Sequence, residues 1–399
     1  MFKSNDRKNR ELIADLLLLV AKPENSFFEI EKLRHILSRI TNWKLVISLA
    51  VQNGLIPLLH EKLNLHQLNY LIPSEILNLL KKRFLTSTKH LLSIEAGLIK
   101  IHSAFLSKGI DFIVLKGLTH SYNLYEEPNL RPMFDLDILV KEKDIEQALY
   151  AVLELGFKPE KRIKENYLLR NISINQHIPA LSFNDCAIEL HKSLFPLYNQ
   201  ISITETELWL QCTIQKINNI EVNTLCPEDN LLYLCHHANE HLKGGFVKLI
   251  WYLDIALLIK KYNESINWER VLEIGKPINI NESLVKAAAI VDEINNNNNF
   301  RERFPANNKI RIQTLKRIRK IIGYNFKNRK LQFIQKFIST KNTWNKLIYL
   351  RYRIFPTTEM MKLEFKLTRD YQLFFYYPYK LFQFLFSFFL LLIKSIKKT

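Results

Sequence analysis

The sequence predicts an α+β fold: a small mixed sheet of about a hundred residues set between helical N- and C-terminal regions. Three observations predict it. Apolar residues recur at helical spacing before residue 100 and again after residue 201. Short, branched apolar runs fall between these regions, at Asp111–Leu115 and Asp135–Val140. Glycine and proline are few, 9 and 13 in 399 residues, which disfavours a turn-rich all-β chain. The expected division is a helical region over 1–100, a core over 101–200, and a helical region with an aromatic and basic tail over 201–399.

In order, Glu11–Ala21, Trp43–Asn53 and Pro73–Ile101 read as helices, the last opened by Pro73-Ser74 with Glu75. The pattern changes after Gly109. DFIVL (Asp111–Leu115) reads as a buried strand ended by Lys116-Gly117, and Leu118–Tyr125 as a short helix. Pro128 and Pro132 break Glu126–Phe134 into a loop. DLDILV (Asp135–Val140) is a second strand, and Glu142–Leu155 an amphipathic helix stopped at Gly156. His177–Phe183 and Ala187–His191 read as a hairpin turning at Asn184-Asp185. From Glu205 onward the reading is helical, with Asp229–His241 and Phe246–Tyr262 clearest and the Asn295–Asn299 run a loop.

Composition excludes some classes. Apolar residues are 47% and charged residues 24%, so the chain is neither disordered nor collagen-like. Lys+Arg 57 against Asp+Glu 39 gives +18, a surplus that attracts polyphosphates, nucleic acid or anionic lipid without choosing among them. Cys186, Cys212, Cys226 and Cys235 form no CxxC pair, so neither a zinc knuckle nor a redox dithiol is indicated. The apolar run Leu17–Ala21 is too short for a secretory core, and the protein reads as cytoplasmic.

Asp135 and Asp137 carry the chemistry. Two residues apart on a strand, their carboxylates leave one face and repel unless a cation sits between them. Mg²⁺ is the usual cation where phosphates are handled. The plain alternative is a solvated strand edge, and for a bare DxD that alternative wins. Three neighbours change the balance. Lys116-Gly117 follows the preceding strand, the glycine letting a phosphate approach the backbone and the lysine supplying charge. Arg131 lies four residues before Asp135. Glu189, in AIELH, completes a three-carboxylate site if its strand lies beside Asp135–Val140.

Together IDFIVLKG, RPMFDLDILV and IELHKSL, flanked by NWKLVISLAVQNGLIPLLHEKL and LLYLCHHANEHLKGGFVKLIWYLDIALL, resemble the bacterial group described as uncharacterised nucleotidyltransferases. The likeness runs over about residues 40–260, and its specific part is LKG…R…DLD. Where the wider superfamily has a Gly-Ser pair after the first strand, this sequence has Lys116-Gly117. The resemblance implies that Asp135, Asp137 and Glu189 bind one or two divalent ions, Mg²⁺ or Mn²⁺. It implies that Lys116, Gly117 and Arg131 hold the phosphates of a nucleoside triphosphate, and that a nucleoside monophosphate passes to an acceptor with loss of pyrophosphate. Glu189 would sit nearest the acceptor and act as base. The acceptor, a small molecule, peptide or protein, is not named by the sequence. The competing reading is a nucleotide- or nucleic-acid-binding protein of the same fold that transfers nothing.

Other signals are weaker. His237-Ala238-Asn239-Glu240-His241 matches the H-x-x-E-H pattern of zinc peptidases, but no third ligand is evident. His236, His237 and His241 are expected to line the cleft or to pack. His191 alternates with Glu189 and is a candidate partner of the metal or phosphate. Asp254 is expected to anchor a neighbouring helix. The basic stretch Arg311–Arg329 reads as a solvated helical face before it reads as a nucleic-acid surface. LFQFLFSFFLLLI (Leu381–Ile393) is short of the roughly 20 residues that span a bilayer. Burial against the helical region is favoured for it. A membrane-surface helix helped by Lys394, Lys397 and Lys398 is the alternative.

Overall fold

The computed structural model describes residues 2–159, 168, 176–195, 205–243, 245–276, 280–295, 298–305, 308–323 and 369–396, with single positions between 355 and 367. A seven-stranded mixed sheet lies at its centre, in the order β3-β4-β5-β2-β1-β7-β6. The strands are β1 (Phe112–Val114), β2 (Leu136–Val140), β3 (Lys158–Pro159), β4 (Leu181–Phe183), β5 (Cys186–His191), β6 (Thr213–Ile217) and β7 (Ile220–Thr224). β2 runs antiparallel to β1 and parallel to β5, while β1 runs parallel to β7.

The central strands are apolar on both faces because helices cover both. Side chains alternate between two cores. Val114, Leu136, Ile138, Val140, Ile188 and Leu190 face a smaller core with α5 (Ser74–Ser107) and α7 (Ile145–Glu154). Ile113, Leu115 and Leu139 face a larger helical core. The period of two therefore puts Asp137, Glu189 and His191 on the face turned to that larger core. α5 approaches β5 closely at Gly97, where an added Cβ would lie 2.5 Å from Cys186 Sγ.

The larger core joins both ends of the chain. It is built from α1 (Phe2–Val20), α2 (Phe27–Leu37), α3 (Trp43–Asn53) and α4 (Ile56–Leu65) with α9 (Pro227–Lys243), α10 (Leu249–Tyr262), α11 (Trp268–Gly275), α12 (Ile280–Asn295), α13 (Asn298–Arg303) and α14 (Asn308–Gly323). Ser26 opens α2 with a reciprocal capping box to Glu29. Pro73 precedes α5, as the sequence predicts. The short α6 (Leu118–Leu124) and α8 (Glu205–Leu210) link strands.

Several expectations are corrected. The stretch after residue 205 is not purely helical: β6 and β7 form a hairpin there, turning at Asn218 in the left-handed region, and β7 joins the sheet beside β1. The segment expected as a strand from His177 pairs continuously only over Leu181–Phe183, with His177 making one bridge to His191. Asp135 lies one residue before β2 rather than within it.

The basic stretch is not simply a solvated face. Arg311 pairs with Asp292, Arg319 with Asp15 and Glu293, and Arg317 donates to the Leu242 and Lys243 carbonyls. Its end, 324–329, lies outside the described residues, as do 296–297 of the asparagine run and Lys397 and Lys398. Of the run Leu381–Ile393, Leu381 is half-buried and Phe382 and Leu385 are exposed, while the side chains at 384 and 386–393 lie outside the described residues. On α15 (Gln372–Ile396), Phe374, Phe375, Tyr379, Phe382 and Leu385 are exposed. No helix among the described residues is long and apolar enough to cross a membrane.

Candidate functional site

The parallel register of β2 and β5 sets Asp137 directly opposite Glu189. Two residues on, His191 shares the face of Glu189. Ligand-capable atoms of Asp137, Glu189 and His191 all fall within 4.8 Å of one another. Nothing in the sequence spacing sets this distance; it follows from pairing two strands about fifty residues apart in the chain.

Asp137 is 2% exposed, and its two oxygens have different partners. Oδ1 lies 3.0 Å from His191 Nε2, and Oδ2 lies 3.4 Å from Lys116 Nζ. Burial alone would raise the Asp137 carboxyl. Lys116 and His191 outweigh it and hold the carboxyl well below its ordinary value. Burial pulls His191 down despite the attraction of Asp137, so its ring is neutral. An ionised carboxylate only accepts, so His191 Nε2 carries the proton and donates it to Asp137. His191 Nδ1 is then a buried lone pair with no hydrogen-bond partner among the described residues.

Glu189 lies 3.8 Å from both His191 Nε2 and His177 Nδ1. Burial, with Asp137 and Asp135, raises its carboxyl to about 7. Asp135 is raised too, by burial and by Asp137. Burial would lower Lys116, but Asp137, Tyr233, Asp135 and Glu189 overcome that and keep it an ammonium. Three acids thus face Lys116, with Lys248 and Arg131 also acting on Asp135. Glu189 and Asp135 are raised first by burial and then by repulsion from the neighbouring carboxylates, and a divalent cation would relieve that repulsion. The carboxylate oxygens of Asp137 and Glu189 fit such an ion, and His191, through its Nε2 hydrogen, orients Asp137 toward it.

Lys116 is not a surface lysine at a turn. Its side chain is 16% exposed, and the ammonium stands 5.6 Å from the Tyr233 ring centroid on α9. Gly117 has φ +43°, a conformation that strains any residue with a Cβ, and it turns the chain from β1 into α6. Arg131 is largely engaged elsewhere. Its Nε and Nη2 donate to the two oxygens of Asp254 at 3.2 and 2.7 Å, both side chains buried. Nη1 alone points at the Gly117 turn, 3.6 Å from where a Cβ would stand.

Asp254 on α10 also accepts from the Tyr125 hydroxyl at 2.8 Å and lies 3.4 Å from His120 Nδ1. It anchors the loop before β2, not only a neighbouring helix. Sequence reading missed Tyr233, which sits one α-turn before His237 on α9 and is found by helical spacing once Lys116 is placed.

His237 and His241 stand 4.5 Å apart, ring to ring, and both pack on Trp251. Burial and the nearby Lys116 hold His237 well below its ordinary value. His236 packs edge-on to Phe195, and burial lowers it to about 4. Among the described residues, the one cluster of metal-ligating groups is Asp137, Glu189 and His191.

A family model described as uncharacterised nucleotidyltransferase matches residues 40–296. No curated protein and no solved structure is matched by the chain. The match contains the whole strand–LKG–helix–DLD segment, the strand carrying Glu189 and His191, and helices α9 and α10 that close over them. The chain belongs to this uncharacterised nucleotidyltransferase family.

Proposed function

We propose that the protein is a metal-dependent transferase that moves a nucleoside monophosphate from a nucleoside triphosphate to an acceptor hydroxyl. The observation that carries this reading is the pairing of Asp137 with Glu189 across β2 and β5, beside the buried ammonium of Lys116. Asp137 and Glu189, with Asp135 adjoining, would hold Mg²⁺ or Mn²⁺. Bound there, the ion would draw charge from the phosphate oxygens and acidify the acceptor hydroxyl.

The chain's own groups supply the rest. Lys116 neutralises phosphate oxygens from a fixed position, because Asp137 and the Tyr233 ring hold its ammonium in place. Gly117 removes the side chain that would block the backbone from a phosphate, and Arg131 Nη1 adds charge at the same turn. His191 fixes the orientation of Asp137 by its hydrogen bond. Glu189 accepts the acceptor's proton on its carboxylate. The acceptor oxygen then bonds the α-phosphorus as the bond to the β-phosphate bridging oxygen breaks, and pyrophosphate leaves. Catalysis rests on positioning and charge neutralisation.

The test is release of pyrophosphate from labelled nucleoside triphosphates with Mg²⁺ or Mn²⁺ and cell extract as the acceptor source. Asp137→Asn and Glu189→Gln should abolish release while circular dichroism shows an unchanged fold. Tight triphosphate binding with no release from any extract fraction would support the competing reading, a protein that binds nucleotide without transferring it.

The exposed aromatic side chains of α15 favour a place of action at a membrane surface. A helix with Phe374, Phe375, Tyr379, Phe382 and Leu385 open to solvent, continuing into a lysine-bearing terminus, suits an anionic bilayer interface.

A further inference from the structure

Resting on the transferase reading above, we propose that Phe134, with Lys248 and Trp251, is the seat of the donor's nucleobase. Phe134 directly precedes Asp135 and is 53% exposed, in a loop whose neighbours Met133 and Leu136 are buried. Exposed phenylalanines occur elsewhere on the chain, and exposure alone says nothing. The surroundings of this one are specific. The Lys248 ammonium stands 5.4 Å from the Phe134 ring centroid and 5.7 Å from that of Trp251, joining the exposed Phe134 to the buried Trp251. The Lys248 charge also lowers the Asp135 carboxyl, the residue next to Phe134. His90 of α5 meets the Phe134 ring edge-on at 6.3 Å.

The sheet order says which substrate this wall meets. β5, with Glu189, flanks β2 on one side, and β1, leading to Lys116, flanks it on the other. Ring contacts join this wall to the Lys116 side: Trp251 packs on His237, His237 on Tyr233, and Lys116 lies over Tyr233 of α9. Phosphates held at Lys116 leave their nucleoside on this flank, and the acceptor approaches at Glu189. A planar base laid on Phe134 gains stacking whatever its identity, since every base has a π-face. Lys248, held between two rings, offers its ammonium to ring nitrogens or carbonyls of the base.

The experiment is calorimetric titration of the full chain, with Mg²⁺, by ATP, GTP, CTP, UTP and by inorganic tripolyphosphate, which has no base. Phe134→Ala should weaken the triphosphates about tenfold or more and leave tripolyphosphate unchanged. Phe134→Trp should bind them as tightly as the wild type. Affinity for all four nucleotides within twofold of wild type in Phe134→Ala overturns the proposal, as does equal weakening of tripolyphosphate, which would make Phe134 a structural residue. Wild-type protein that binds tripolyphosphate as tightly as nucleotides also overturns it and leaves the transferase reading standing. Wild-type protein that binds neither overturns both.

Discussion

Replacing Asp254 by alanine removes the only carboxylate bonded to Arg131 among the described residues. The structure sets the scale. Asp254 is fully buried and receives two guanidinium hydrogen bonds, at 3.2 and 2.7 Å, and one from Tyr125 at 2.8 Å. Arg131 is 5% exposed, so its charge cannot turn to water without opening the loop that leads to Asp135. Breaking a buried pair by deleting one partner costs about 3–5 kcal/mol. The stranded Tyr125 hydroxyl belongs to the same penalty. Asp254→Ala should therefore lose about 3–5 kcal/mol of unfolding free energy in urea.

A double-mutant cycle isolates the pair. Arg131→Met strands Asp254 in the same way, so the two single losses should exceed the double loss by about 1–3 kcal/mol. The pair also carries a pH signature. Burial raises the Asp254 carboxyl, but Arg131 and His120 bring it well below its unfolded value. Its stabilisation is then complete above about pH 4 and is lost as pH falls further. Asp254→Asn should lack that acid slope. Additive single losses, or an Asp254→Ala loss below about 1 kcal/mol, would refute the reasoning, because a buried bidentate ion pair cannot be neutral on removal of one member.

Three further outcomes are expected. Burial lowers the Lys62 ammonium to about 8, so between pH 8 and about 10.4 the unfolded chain holds a proton the folded chain has released, and stability should rise with pH there; Lys62→Met should remove that rise in pH-dependent urea denaturation. Gly97→Ala should cost about 1–3 kcal/mol by forcing α5 away from β5, and Cys186→Ala in the same chain should recover part of it, because the clash is with Cys186 Sγ; no recovery would place the strain elsewhere. Truncation after Tyr379 should abolish co-sedimentation with phosphatidylserine vesicles, and unchanged sedimentation would remove α15 as the membrane contact.

The central segment was legible because its signals are local. A branched run of four apolar residues, Phe112–Leu115, is too short for a helix, and LKG and the proline-broken loop mark where strands end. The β6–β7 hairpin was harder to see. Thr213–Thr224 does alternate, with Asn218-Asn219 as its turn, but it lies between strong helical patterns and is polar on its outer strand, where little is buried. Asp135 and Asp137 were legible as a pair; that His191 joins Asp137 and Glu189 was visible only as a shared face. The family resemblance implies a phosphate role for Arg131, yet two of its guanidinium nitrogens are taken by Asp254. Its partner is 123 residues away, a distance across which sequence gives no register.

By itself the sequence determined the classes of element, the alternation that sends Asp137, Glu189 and His191 to one side of the sheet, and the lysine–glycine turn beside them. These follow from backbone periodicity and from the conformations that glycine and proline allow or forbid, which act over a few residues. Only the tertiary structure decided that β5 pairs with β2 in the register that sets Glu189 opposite Asp137, that Asp254 claims Arg131, and that Lys248 lies between the rings of Phe134 and Trp251. Those outcomes depend on which distant surfaces bury each other and which buried charges find partners, and such long-range energies are not encoded in any short window of the chain.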